Sequence, residues 1–192
     1  LQKSYFHPKL KMISKLVFYR LLGWKITGKM SPDIKKAVVI VYPHTSWHDF
    51  YIGALARKII NLEINYVAKQ ELFDSPLGWY FRWMGGAPID RKKSKKTVDQ
   101  IVTIFKEREE FRLAITPEGT RKKVNHWKTG FYHIAKAAEV PIIPIAFDYA
   151  SKTVQLHPAF EPTDDLEKTF DHLRNCFKQV EGKHRAQTSP IA

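Results

Sequence analysis

The run AVVIVY, residues 37 to 42, constrains the fold of this chain more than any other stretch. A strand with one wet face alternates apolar and polar residues, and this run does not alternate. Both of its faces need cover, which is the situation of an interior strand in a sheet with helices on both sides. The chain supplies those partners in turn. Ile52, Leu55, Ala56, Ile59 and Ile60 follow the period of an amphipathic helix. EINYVA (63 to 68) and a shorter APID (87 to 90) read as strands, Val98, Ile101, Val102 and Phe105 as a helix, and FRLAIT (111 to 116) as a strand. Phe131, Ile134, Ala135 and Ala138 mark a helix before PIIPIAFDY (141 to 149) and TVQLH (153 to 157), two strands expected to pair across ASK. Leu166, Phe170, Leu173 and Phe177 mark a last helix. This alternation predicts a single-domain α/β fold with a mixed, mostly parallel sheet flanked by helices. Sites in such sheets lie in loops beyond the strand C-terminal ends.

The 192 residues suit one domain, divided into a basic amphipathic N-terminal helical segment (1–36), the α/β domain (37–180) and a flexible tail, EGKHRAQTSPIA (181–192). In the first segment Leu10, Ile13, Leu16, Val17 and Leu21 recur at helical spacing, with Lys11 and Lys15 on the other side. Such a helix fits an anionic membrane surface, where apolar burial and headgroup attraction add; docking on its own domain is the alternative. The formal net charge is +13, and residues 1–36 hold nine Lys or Arg against one acid, Asp33. That surplus attracts nucleic acid, anionic lipid or phosphorylated ligands. No aromatic-basic recognition motif accompanies it, which speaks against nucleic acid. No apolar run approaches the roughly 18 to 20 residues that span a bilayer. A single cysteine, Cys176, excludes an internal disulfide and suits a reducing compartment.

His44, His48 and Asp49 crowd together in VYPHTSWHDFYIGAL (41 to 55). A helix begun at Pro43 would align the two histidines, four residues apart, and His44, His48 and Asp49 would then be the ligands of a metal-dependent hydrolase. A helix begun at Ser46 leaves His44 on the loop, able to meet Asp49, with Ser46 and Asp49 as a capping-box-like pair. The later start is favoured. A histidine held by a carboxylate in one tautomer is a better base, and the Glu of the usual zinc helix motif is missing. Helix capping alone remains a second role for Asp49.

Two further stretches place cations at strand ends. In FRLAITPEGTRKK the strand stops at Thr116, Pro117 breaks it and Gly119 lets the backbone turn, leaving Glu118, Thr120, Arg121, Lys122 and Lys123 in the loop. Guanidinium donors match phosphate oxygens bidentately, so this turn is a candidate phosphate clamp. GGAPIDRKK repeats the arrangement with Asp90 and Arg91, where a plain salt bridge is the alternative.

HTSWHD with its His-x4-Asp spacing, GGAPIDR, PEGTR and VPIIPI occur in that order. Together they resemble the motifs of the glycerophospholipid acyltransferase family, whose best-known members are 1-acylglycerol-3-phosphate (lysophosphatidic acid) acyltransferases. The resemblance covers roughly residues 37 to 150. It implies that His44 is the general base for an acceptor hydroxyl attacking an acyl thioester, and that Asp49 orients His44. It implies that Arg91 and the Glu118, Gly119, Thr120, Arg121 turn bind the acceptor phosphate. It implies no metal and no cofactor beyond the donor, acyl-CoA or acyl carrier protein. The partners it implies are a lysophospholipid, that thioester and an anionic membrane surface, with the chain peripheral on the cytoplasmic face and no nucleic acid bound. Pro43 and Thr45 stand where the family has Asn and Gln, and Thr116 and Pro88 also depart from its pattern. These departures bear on the acceptor more than on the reaction.

Overall fold

A computed structural model describes residues 6–89 and 94–191. Its strands are β1 (Lys25–Gly28), β2 (Lys36–Tyr42), β3 (Asn65–Lys69), β4 (Gly86–Ile89), β5 (Phe111–Ile115), β6 (Ile142–Asp148) and β7 (Thr153–Leu156). Its helices are α1 (Pro8–Lys15), α2 (His48–Ile60), α3 (Gln70–Asp74), α4 (Gly78–Trp83), α5 (Ser94–Glu107), α6 (Gly130–Ala138) and α7 (Leu166–Cys176). The strands form one sheet in the order β1-β7-β6-β2-β5-β3-β4. Every pairing is parallel except the β6–β7 hairpin, which joins across the expected turn.

β2 lies inside the sheet between β6 and β5, as a run without alternation demands. Val38, Ile40 and Tyr42 point into a core built with α5, α6 and α7, including Phe105, Phe131 and Leu173. Ala37 and Val39 point into a second core with Phe18 and with Ile52, Ala56 and Ile59 of α2. The two cores lie on opposite faces, because successive strand residues do. β5 ends at Ile115 opposite Ile40, two residues before its parallel neighbour β2 ends at Tyr42, so the loops carrying His44 and Arg121 leave the same end of the sheet from adjacent strands.

Two boundaries differ from expectation. Helix occupies only part of the first 36 residues: α1 continues as a π-helical segment, Leu16–Leu21, and Lys25–Gly28 is strand β1. KITG is too short for a periodic signal, and its strand exists through pairing with β7. The segment after Val180 is not a frayed tail but packs back across the loops at the sheet's end. Ser189 is buried, and Tyr42 donates to its carbonyl at 2.6 Å. Such docking by backbone hydrogen bonds has no hydrophobic period to read.

The amphipathic helix at the start docks by a narrow stripe. Ser14 and Phe18 are buried, while Leu10, Met12, Ile13, Leu16 and Leu21 stay exposed. Among the described residues no helix is long and apolar enough to cross a membrane.

Candidate active site

His44 follows β2 by two residues and sits on the loop before α2. Its Nδ1 lies 3.0 Å from Asp49 Oδ2, and the same oxygen accepts from Thr45 N (3.1 Å) and Ser46 N (2.9 Å). Ser46 N to Asp49 is one half of a capping box. The other half is displaced, since Ser46 Oγ accepts from His48 N and the helix proper starts at His48. Asp49 thus caps its helix and holds the histidine at once, so the two roles read from the sequence coexist. Its Oδ1 accepts from Tyr149 OH at 2.6 Å, and Asp49 is only 3% exposed. Burial first, and then the adjacent carboxylate, push the Tyr149 hydroxyl well above its ordinary range, so it stays a donor. Every other partner of Asp49 is a donor; His44 Nδ1 therefore carries its proton toward Asp49, which makes Nε2 the acceptor nitrogen of the neutral ring.

His48 has other company. Its Nδ1 is 2.8 Å from Ser46 Oγ and its Nε2 lies against Lys183, whose charge adds to desolvation in lowering its pKa. Among the described residues no group of three His, Cys, Asp or Glu is placed to hold a metal ion.

The second loop is built as the sequence implies, with one difference. Gly119 has φ +65°, and an added Cβ would meet the Lys128 side chain at 2.9 Å. Thr120 Oγ1 accepts from Lys122 N, and Arg121, Lys122 and Lys123 are exposed. Glu118, expected to bind phosphate with them, is instead buried, and its Oε2 accepts from His44 N at 2.6 Å. A carboxylate repels phosphate, so its place on the histidine's backbone is the chemically sensible one. Desolvation raises its pKa, opposed by the hydrogen bonds from His44 and Ser189. Arg91 lies outside the described residues.

Both loops border one cavity of about 720 Å³. His44, Asp49, Gly119 and Lys128 line its polar part. The remainder is apolar: part of it lies between α2 and the sheet, lined by Gly53, Ala54, Ala56, Val39, Val41 and Ala114, and part lies along α5 and α6, lined by Val98, Ile101, Phe131 and Ile134. Small residues on α2 leave the space open. At Gly53 an added Cβ would fall 3.3 Å from the Phe147 ring.

Sequence reading missed Tyr149 and the closing segment. His184 N donates to Thr45 Oγ1 (3.2 Å), Val124 N to Ser189 Oγ (3.1 Å) and Glu181 N to Asp148 Oδ1 (3.3 Å). With its amide nitrogen turned inward, Gln187 donates to both Arg121 O and Thr45 O. This strap ties the histidine loop to the arginine turn. Thr45 sits beneath Gly182, where a Cβ would fall 2.6 Å from its Cγ2, so the strap needs glycine there.

A family model described as Acyltransferase matches residues 24–148. The 1-acyl-sn-glycerol-3-phosphate acyltransferase of Salmonella typhimurium is 36% identical over 146 residues, covering 71% of this chain and 58% of that protein. The protein of that name from Escherichia coli K12 is 35% identical over 144 residues with the same coverage. The one from Saccharomyces cerevisiae is 28% identical over 131 residues, covering 62% of this chain and 41% of its own length. The chain thus spans 58% of the length of these bacterial relatives. The crystal structure of the 1-acyl-sn-glycerophosphate (LPA) acyltransferase PlsC from Thermotoga maritima shares the fold, with a TM-score of 0.61 and 18% identity over 89% of this chain and 76% of that one. Since the family match runs unbroken from β1 to β6 and takes in both loops of the site, the chain belongs to the acyltransferase family.

Proposed function

We propose that the chain transfers a fatty acyl group from an acyl thioester, acyl-CoA or acyl carrier protein, to the hydroxyl of a lysophospholipid, 1-acylglycerol-3-phosphate first among them. The observation that carries this reading is the His44–Asp49 pair at the polar end of an apolar cavity, beside a basic turn. A base, an anion site and an apolar channel are the three parts that an acyl transfer to a phosphorylated amphiphile needs. The relatives' names supply the acceptor.

In this reading His44 Nε2 takes the proton of the acceptor hydroxyl as its oxygen bonds to the thioester carbonyl carbon. The tetrahedral adduct collapses, the carbon–sulfur bond breaks, and the thiolate leaves with the proton returned by the imidazolium. Asp49 holds the ring in the required tautomer and faces its developing charge. No acyl-enzyme is needed, and the sequence holds no Gly-x-Ser-x-Gly elbow. Arg121, Lys122 and Lys123 take the phosphate, with Arg91 as a further contact. The channel between α2 and the sheet takes an acyl chain. The exposed apolar face of α1, with Lys9, Lys11, Lys15 and Arg20 around it, seats the chain peripherally on an anionic membrane at the cytoplasmic face.

The test follows thiol release from acyl-CoA with lysophosphatidic acid, glycerol 3-phosphate, a lyso-aminolipid or water as acceptor. Turnover with lysophosphatidic acid is expected to exceed the others. Release with water alone would make the chain a thioester hydrolase and sink the reading.

A further inference from the structure

A second apolar surface has no partner in the fold. α3 and α4 pack on β4 with Phe73 buried beneath them, yet Leu77, Trp79, Tyr80 and Trp83 point outward. Trp79 and Trp83 are 68% and 60% exposed, four residues apart on one helix face. Two tryptophans with most of their rings in water form the kind of patch that marks a contact surface.

Its neighbours say what it contacts. α3 carries exposed acids, Glu71 and Asp74, but from Ser75 through α4 to Ile89, the stretch that carries Leu77, Trp79, Tyr80 and Trp83, the chain has no acidic residue. Lys58 Nζ stands 5.7 Å from the Trp83 ring centroid, and Arg82 lies on the same helix. A second copy docked symmetrically here would set these cations against each other. An anionic lipid surface would meet them favourably, and tryptophan is the side chain suited to the headgroup layer. The patch is also continuous with the exposed face of α1: Trp83 shares a cleft of about 340 Å³ with Phe6 and Leu10. On its other side it reaches the cavity. Tyr66 OH donates to Phe81 O at 3.2 Å, the Tyr66 ring meets Phe50 edge-on, and Tyr66, Phe50 and Met84 all line the channel.

We infer that α4 with the turn leading into it (75–83) is a second membrane-contact element, a tryptophan shelf that lies in the headgroup layer and turns the mouth of the cavity toward the lipid. An amphiphilic acceptor then enters from the leaflet instead of through bulk water. The inference rests on the membrane seat proposed above, so its test keeps the two apart.

Partition onto vesicles of phosphatidylcholine and phosphatidylglycerol in equal parts is measured by co-sedimentation, with brominated acyl chains to quench tryptophan. Trp79→Ala with Trp83→Ala is expected to weaken partition by about tenfold and remove most of the quenching. Trp79→Ala alone, a fold-safe change at an exposed site, is expected to slow turnover of vesicle-borne acceptor and leave turnover of detergent-dispersed acceptor unchanged. Unchanged partition in the shelf variants, with partition lost in Leu16→Ser of the N-terminal segment, would overturn the shelf and leave the membrane seat standing. No partition by the unaltered chain would overturn both. Self-association that Trp79→Ala abolishes, without vesicle binding, would assign the patch to a second copy and overturn the inference.

Discussion

The loops after β2 and β5 leave the sheet as neighbours, yet they are built on opposite principles. Around His44 the polar groups are paired and buried: Asp49 collects donors from His44, Thr45, Ser46 and Tyr149, and Glu118 fixes the histidine's own backbone. Around Arg121 the side chains stand in solvent, and among the described residues none accepts a hydrogen bond from its guanidinium. The difference matches the work proposed for each. A base must stand in one orientation within a few tenths of an ångström of its proton, and that takes a preorganised shell. A cation that captures a charged headgroup acts over several ångströms and gains from freedom to follow its ligand. Fixing the second loop as firmly as the first would add little.

The contrast breaks first at the histidine. His44→Ala is expected to lower kcat by about a thousandfold, within the range of general-base catalysis. The ring is partly exposed, and without it Asp49 keeps the donors of Thr45, Ser46 and Tyr149, so the melting temperature should fall only slightly. Asp49→Asn should lose activity by about a hundredfold and also lose stability, by about 1 to 3 kcal/mol, because an amide presents a donor to groups that already donate. Rate and melting curves measured on both variants separate the roles. Stability loss in His44→Ala equal to that in Asp49→Asn would mean the histidine is part of the scaffold.

At the open loop the expected effect is smaller and differs in kind. Arg121→Ala should raise KM for lysophosphatidic acid by about tenfold to a hundredfold, the worth of a charge-assisted contact. kcat, the melting temperature and KM for monoacylglycerol, which has no phosphate, should not move. An equal rise for both acceptors would show that Arg121 shapes the turn and does not read the phosphate. Added salt should mimic the variant in part, since screening acts on exposed charges.

The sequence carried the parts of this arrangement that have a period or a local spacing. AVVIVY required an interior strand, and Ser46 with Asp49 placed His44 on a loop. Tyr149 could not be read in that way, because it reaches Asp49 across 100 residues of chain and one ring has no pattern. The strap is harder still: Gln187 and Ser189 act through backbone carbonyls and a buried carboxylate, in a stretch whose composition is that of a loop. The exposed side of α4 was hidden for a related reason. GWYFRW is apolar nearly all round, and only the packing of Phe73 and β4 decides which rings are left outside. β1 depends wholly on a partner 128 positions away, Lys25 on Thr153.

Glu118 joins the two regimes, since it is the last buried residue before the open turn and the acceptor for His44 N. Burial raises its pKa, so the folded chain holds that proton more firmly than the unfolded chain does. Proton linkage then makes its contribution to stability decline as pH climbs from the ordinary carboxylate range through the raised value, and level off above it. Glu118→Gln keeps an oxygen for His44 N and removes the charge. The gap between variant and unaltered chain should therefore vanish in acid and favour the variant, modestly, at neutral pH and above. Denaturation midpoints taken across that range for both proteins give the gap directly, with the other carboxylates cancelling. A variant less stable than the unaltered chain at high pH would mean that the donors of His44 and Ser189 outweigh desolvation, and that the anion itself holds the closed loop to the open one.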